Sequence, residues 1–125
     1  ESYKVANILH KHHLCDANAA WGEVPTMLFK NNAIIANRYF KKPLGILKEG
    51  AAADVIIADY NPVTPMSAAN CNSHILFGMN GNHVTTTVIN GKVVMKDRIL
   101  TVIDEEKAIN NVRAEAEKLW NSINA

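Results

Sequence analysis

Apolar residues recur at helical intervals near both ends of this chain and at strand intervals in the middle. Val5, Ile8 and Leu9, with His12 or His13, fall on one side of a helix, and Ser2 stands where a capping hydroxyl would. Cys15–Gly22 reads as a loop, with Asp16, Asn18 and Gly22 as breakers. Pro25 suits a first helical turn, and Met27, Leu28, Ile34, Ile35 and Phe40 then predict one long helix or two short ones, divided at Asn31-Asn32. Pro43 and Gly45 end this helical part. Val55–Ala58 predicts a buried strand, Asn61–Pro65 a turn-rich connection, and Ser67 or Asn70 the start of a short helix through Leu76 and Phe77 that Gly78 stops.

The run Val84–Asp97, VTTTVINGKVVMKD, predicts a hairpin, because Asn90-Gly91 accepts the positive φ that both central residues of a type I′ turn need. Strict alternation would put Val84, Thr86 and Val88 on one face and Thr85, Thr87 and Ile89 on the other, with Val93 and Met95 sharing a face beyond the turn. Neither face is strongly polar, so both are expected to be covered. A second turn near Lys96-Asp97-Arg98 brings Ile99-Leu100 back to the sheet. Asp104 then caps a helix with Glu105 and Glu106 in its first turn, and Ile109, Val112, Ala116, Leu119, Trp120 and Ile123 form its packing face. The expected class is α+β: a small, mostly antiparallel sheet of about four strands flanked by about four helices.

Composition narrows the function more than the fold. The 125 residues suffice for one modest domain, and a net charge of +1 with both signs interspersed gives no footprint for nucleic acid or an anionic membrane. No apolar run reaches the ~18–20 residues that span a bilayer. Cys15 and Cys71 sit in no metal-type spacing and read as two free, buried thiols of a cytoplasmic protein. The chain begins at Glu1 rather than Met, so a piece of a longer protein is expected.

Candidate chemistry is thin. His10-Lys11-His12 matches His-x-His literally, but on a helix those two side chains lie about 200° apart, since each residue advances ~100°. His10 and His13, with Asp16 nearby, could chelate an ion; solvated or core-edge histidines are the default reading. His74 and His83 are isolated and carry no pattern of their own. Asp54 and Asp59 flank a strand on opposite faces, which is wrong for a carboxylate pair, and Asp54 reads as a turn or backbone-bonding residue. Trp21 and Trp120 read as core or interface residues. No phosphate loop or G-x-S-x-G is present. No residue of the chain is therefore assigned to catalysis, to a cofactor or to a metal.

Two segments carry a family resemblance. The pattern LGxLxxGxxADxxxxD, present as Leu44, Gly45, Leu47, Gly50, Ala53, Asp54 and Asp59, resembles the signature that follows the barrel in the metal-dependent amidohydrolase superfamily, and VINGKVV (Val88–Val94) resembles the hairpin after it. ADYNPVTPM, HILFGM and TTTVINGKVVMKDR, together with HKHHLCDANAAWGEVPTMLF, are similar to the SsnA-type aminohydrolase or chlorohydrolase branch, whose relatives include guanine deaminase, cytosine deaminase and the triazine chlorohydrolases.

This resemblance implies a composite enzyme in which a (β/α)8 barrel carries the metal and a smaller β-sandwich is built from segments before and after it. Residues 1–43 would correspond to the end of the barrel, and residues 44–125 to the C-terminal share of the sandwich plus a terminal helix packed back on the rest. The family's ligands (a His-x-His pair, a further histidine and an aspartate) would precede Glu1. Zinc or iron is the expected ion of the parent, with none in this segment, and the implied reaction is attack of metal-bound water on a heterocycle with loss of an amine or a halide, aided by a general acid/base. The implied partner is the N-terminal barrel of the same polypeptide. Without it Val5, Ile8, Leu9, Met27, Leu28 and Ile35 would be exposed and a strand edge unpaired, so self-association or a swapped dimer is expected. A second reading makes the chain an independent, non-catalytic β-rich module for binding or oligomerisation.

Overall fold

The computed structural model describes residues 1–124. The N-terminal part is helical: α1 (Ser2–Leu14), α2 (Glu23–Thr26), a π-helical turn at Met27–Asn31 and α3 (Asn32–Ala36). Ser2 is the first helical residue rather than the cap, and Glu1 in the cap position makes no side-chain bond there. Cys15 ends α1 in the left-handed region (φ 50°), where its N–H reaches the His12 and Lys11 carbonyls. The Asn31-Asn32 pair does not break the helix. Both residues keep right-handed helical angles, and a widened π turn that ends at Asn31 takes up the irregularity instead.

The middle of the chain forms one antiparallel sheet in the order β1-β2-β3-β4, with β1 at Val55–Ala58, β2 at Val84–Ile89, β3 at Lys92–Lys96 and β4 at Ile99–Leu100. Between β1 and β2 the chain makes α4 (Cys71–Ser73), which Asn70 precedes, a π turn at His74–Gly78 and a 3₁₀ turn at Gly81–His83. Asn90 (φ 49°) and Gly91 (φ 80°) adopt the predicted turn, and Asp97 (φ 51°) and Arg98 (φ 64°) repeat its geometry before β4. The sheet is thus the four-stranded antiparallel element expected of an α+β fold.

Two bulges alter the predicted faces. Ile57 pairs with Thr86 but Ala58 pairs with Val84, which leaves Thr85 over; Thr87 pairs with Met95 but Val88 with Val93, which leaves Val94 over. An extra residue on one strand reverses the side of everything beyond it. Val84 therefore shares a face with Ile56 and Ala58 rather than with Thr86 and Val88, and Val93 and Met95 point to opposite faces. Neither face is closed over: no strand residue is buried, and Ile57, Val93 and Ile99 are exposed.

The core lies at the helix junction instead. Ala20, Val24 and Leu76 are its buried apolar residues, joined by Pro25, Asn7 and His74. Helix α1 is turned opposite to its amphipathic pattern. Asn7 is buried and Tyr3, Lys4, Ala6 and Lys11 are half-buried, whereas Val5, Ile8 and Leu9 remain 50%, 51% and 59% exposed. Helix α5 (Glu105–Ile123) forms as predicted, with Asp104 Oδ1 accepting from the Lys107 N–H at 3.0 Å, but it does not pack back: no residue of it is buried. In total 10027 Å² is accessible, against about 6,600 Å² for a folded monomer of this mass. No helix among the described residues is long and apolar enough to cross a membrane.

Candidate functional site

The two segments that carry the family pattern meet in space. Asp54 stands just before β1, and its Oδ1 accepts the Asn90 N–H at 2.6 Å, while the Ala53 carbonyl accepts the Gly91 N–H at 2.9 Å. Both N–H groups belong to the hairpin turn. A carboxylate suits the first because a charged acceptor gives a shorter, stronger bond to a backbone amide. Asp54 is therefore the backbone-bonding residue expected from the sequence. Asp59 lies at the other end of β1, where its own N–H donates to the His83 carbonyl at 2.7 Å.

That second end gathers residues the sequence left apart. Tyr60 Oη lies 2.9 Å from His74 Nδ1, and the Tyr60 ring meets the rings of His74 and His83 edge-on at 5.7 and 5.3 Å. His83 Nδ1 accepts the Asn80 N–H at 3.1 Å, so the neutral ring carries its proton on Nε2. Gly78 allows this packing: a Cβ there would collide with Tyr60 Oη. His74 and His83, isolated in sequence, thus share one aromatic neighbour. The available signal was the β1–β2 register, which carries the chain beyond Ala58 and Val84 to place Asp59 and Tyr60 beside His83. The cluster fastens the segment around α4 to the end of the sheet.

A groove of about 530 Å³ opens between α1, the Met27–Asn31 turn and one sheet face, lined among others by Tyr3, Phe29, Ile56, Leu76, Met79 and Val84. Tyr3 and Phe29 meet edge-on at 6.3 Å, and Tyr3 Oη donates to the Asn72 carbonyl at 3.4 Å. Burial pushes the Tyr3 hydroxyl above its ordinary pKa, with a smaller electrostatic push from the neighbouring Cys71. Glu1 and Lys4 are the charged residues of the lining. Such a surface suits apolar packing rather than proton transfer.

The other candidates are dispersed. His10, His12 and His13 all lie exposed on α1, whose helical geometry points His10 and His12 apart, and no three His, Cys, Asp or Glu side chains among the described residues are grouped to hold a metal. Asp16 Oδ1 accepts the Asn18 N–H at 2.8 Å within the loop after α1. Neither tryptophan is a core residue. Trp21 lies against Lys11 Nζ (4.1 Å from the ring centre) and Phe77, and donates to the Ala17 carbonyl at 3.1 Å; Trp120 stands on the open side of α5. Lys11 also donates to the Ala19 carbonyl at 2.7 Å, so this lysine, passed over in the sequence, organises the loop. Cys15 and Cys71 are both free, but Cys15 is exposed and Cys71 half-buried.

No protein-family model matches the chain. Individual proteins do. The chain is 38% identical over 100 residues to a 5-methylthioadenosine/S-adenosylhomocysteine deaminase of Thermococcus onnurineus, which covers 80% of this chain and 23% of that protein. It is 40% identical over 95 residues to the protein of the same name in Thermococcus sibiricus, covering 76% and 22%. With a 5'-deoxyadenosine deaminase of Methanosarcina mazei it shares 32% identity over 126 residues, covering 100% of this chain and 28% of the relative. These matches define what the chain is similar to: over most or all of its length it resembles part of proteins named as deaminases of adenosine derivatives. It spans about a quarter of the length of the curated relatives it matches.

Proposed function

We propose that this chain is the non-catalytic C-terminal portion of a cytoplasmic, metal-dependent deaminase, which removes an amino group from a heterocyclic substrate by hydrolysis. The names of the relatives favour deamination over dechlorination and an adenosine derivative as the substrate class. The extent of the match carries the reading: most or all of this chain aligns, yet about three quarters of each relative lies outside it. The outward apolar side of α1 and the adjoining groove supply the physical counterpart, a surface shaped to be covered. Among the described residues no three His, Cys, Asp or Glu side chains are grouped to hold a metal, so this reading assigns zinc or iron to the remainder of the polypeptide and no catalytic step to this segment. The cytoplasmic placement rests on the two unpaired cysteines.

The test is complementation. The 125-residue chain is purified alone and, separately, co-expressed with a deaminase polypeptide that lacks the corresponding segment. Ammonia release from 5'-deoxyadenosine and methylthioadenosine is then measured. No turnover is expected from the chain alone, with co-purification and turnover from the pair. Turnover by the chain alone overturns its non-catalytic role, and failure to co-purify overturns its role as a deaminase segment.

A further inference from the structure

Two Asn-Gly pairs occur in the chain, Asn80-Gly81 and Asn90-Gly91, both exposed, and the fold presents them in opposite ways. Such a pair can close on itself: the glycine nitrogen attacks the asparagine Cγ, and glycine has no Cβ beside that nitrogen to hinder the approach. Closure requires the nitrogen to lie on the side of the main chain that carries the asparagine Cβ. At Asn80 (φ −147°, ψ 178°) the Gly81 nitrogen stands gauche to Cβ, a small turn of ψ from facing Cγ. Asn80 Oδ1 accepts the Asn82 N–H at 2.9 Å, which folds the side chain over the Gly81 peptide. The Gly81 N–H opens the 3₁₀ turn Gly81–His83 and has no acceptor among the described residues. At Asn90 the geometry is reversed. In a type I′ turn the first central residue has ψ of about 30°, which carries the Gly91 nitrogen almost opposite to Cβ. The Gly91 N–H is also engaged, by the Ala53 carbonyl at 2.9 Å.

We infer that Asn80 is a site of spontaneous deamidation in this protein, and that Asn90, in the same dipeptide, is protected by its hairpin. Hydroxide takes the Gly81 amide proton, and the Gly81 nitrogen bonds to Asn80 Cγ. The charge that develops on Oδ1 faces the Asn82 N–H, a donor already in place. The bond from Cγ to Nδ2 then breaks, and Nδ2 leaves as ammonia with a proton from water, which restores the hydroxide. One water opens the resulting five-membered imide at either carbonyl. Opening at Cγ gives aspartate; opening at the main-chain carbonyl gives isoaspartate, with the backbone lengthened by one carbon. No oxidant or reductant is involved. The isoaspartate disturbs the turn that Asn80 now caps, where the Asn80 N–H donates to His83 Nδ1 at 3.1 Å, and so loosens the contact of the His83 ring with Tyr60. It also sets a new carboxylate on the rim of the apolar groove, which Asn80 and Gly81 both line. None of this rests on the deaminase reading.

Peptide mapping of the full 125-residue chain during incubation in mildly alkaline buffer tests this, with aspartate and isoaspartate followed at both positions, in native buffer and in urea. In the folded chain isoaspartate is expected to accumulate about tenfold faster at position 80 than at position 90, since only the first is held in an attacking geometry. In urea the two rates should converge, because the unfolded chain removes that difference. Gly81→Ala should keep the fold by circular dichroism, since a Cβ there meets nothing within 4 Å, and should slow the reaction at Asn80 about tenfold. Absence of product at position 80 overturns the proposal, as does reaction at position 90 as fast as at position 80 in the folded chain. So does a rate ratio that urea leaves unchanged, aspartate without isoaspartate at position 80, or a Gly81→Ala chain that reacts at the parent rate.

Discussion

The sheet and the helices of this molecule satisfy their polar and apolar groups in opposite ways. In the sheet, partners lie within the chain: β1 to β4 pair in sequence order, and the Asp54 carboxylate and Ala53 carbonyl bind the Asn90 and Gly91 amides across a sequence gap of more than thirty residues. In the helices, backbone bonds close locally but the apolar faces find nothing to cover them, so Leu9, Ile35 and Trp120 stay exposed. The difference teaches where the chain is self-sufficient. Backbone pairing needs only a neighbouring strand, whereas an amphipathic helix needs an apolar surface from another element. Here the sheet has its neighbours and the helices lack their surfaces.

The comparison breaks most visibly at Gly78. Gly78→Ala places a methyl group against Tyr60 Oη and is expected to cost about 3 kcal/mol, the upper end of overpacking. Thermal melting measures the loss, and the His74 ring resonances should shift as Tyr60 is displaced. Asp54→Ala removes the acceptor of the Asn90 amide and is expected to cost about 1–2 kcal/mol, below the full value of a charged acceptor because the site is open to water. Hydrogen exchange should quicken at Asn90 and Gly91 first; unchanged protection there would mean the hairpin holds its turn unaided.

On the helical side the expected effect is small. Leu9→Ser should change the stability of the isolated chain by less than about 0.5 kcal/mol, since the side chain is already in water. The same substitution should weaken assembly with the remainder of a deaminase, so a large loss in the isolated chain would show that α1 has a partner inside it. The smallest effect is confined to alkaline solution. Because the Tyr3 pKa is raised in the folded state, the stability it contributes is complete below the unfolded value near 10 and falls as pH rises through the folded one. Tyr3→Phe should flatten that limb of the stability profile.

Much of this was legible in the sequence, for reasons that can be named. Val55–Ala58 needed only its β-branched run, the hairpin only Asn90-Gly91, and α5 only Asp104 and the glutamates after it, because each signal acts within a few residues. The outward exposure of Val5, Ile8, Leu9, Met27, Leu28 and Ile35 was also foreseen, from the resemblance rather than from spacing. The bulges at Thr85 and Val94 were not, since a leftover residue is set by both strands of a pair and by neither alone. The burial of Asn7 was equally hidden, because α1 packs by its less apolar side, against its own pattern. His74 and His83 gave no sign, since the register of β1 on β2 brings Tyr60 to His83 and the packing of the segment around α4 brings it to His74.

The sequence by itself determined the order of elements, the turns, the role of Asp54 and the resemblance to amidohydrolase-type deaminases, all of which rest on local backbone preference or on residue pattern. Only the tertiary structure decided which faces the bulges create, where the small core sits, and that Tyr60, His74 and His83 form one cluster. Those depend on distances between residues far apart in the chain, and the cover that each amphipathic surface finds is fixed by its neighbours rather than by its own pattern.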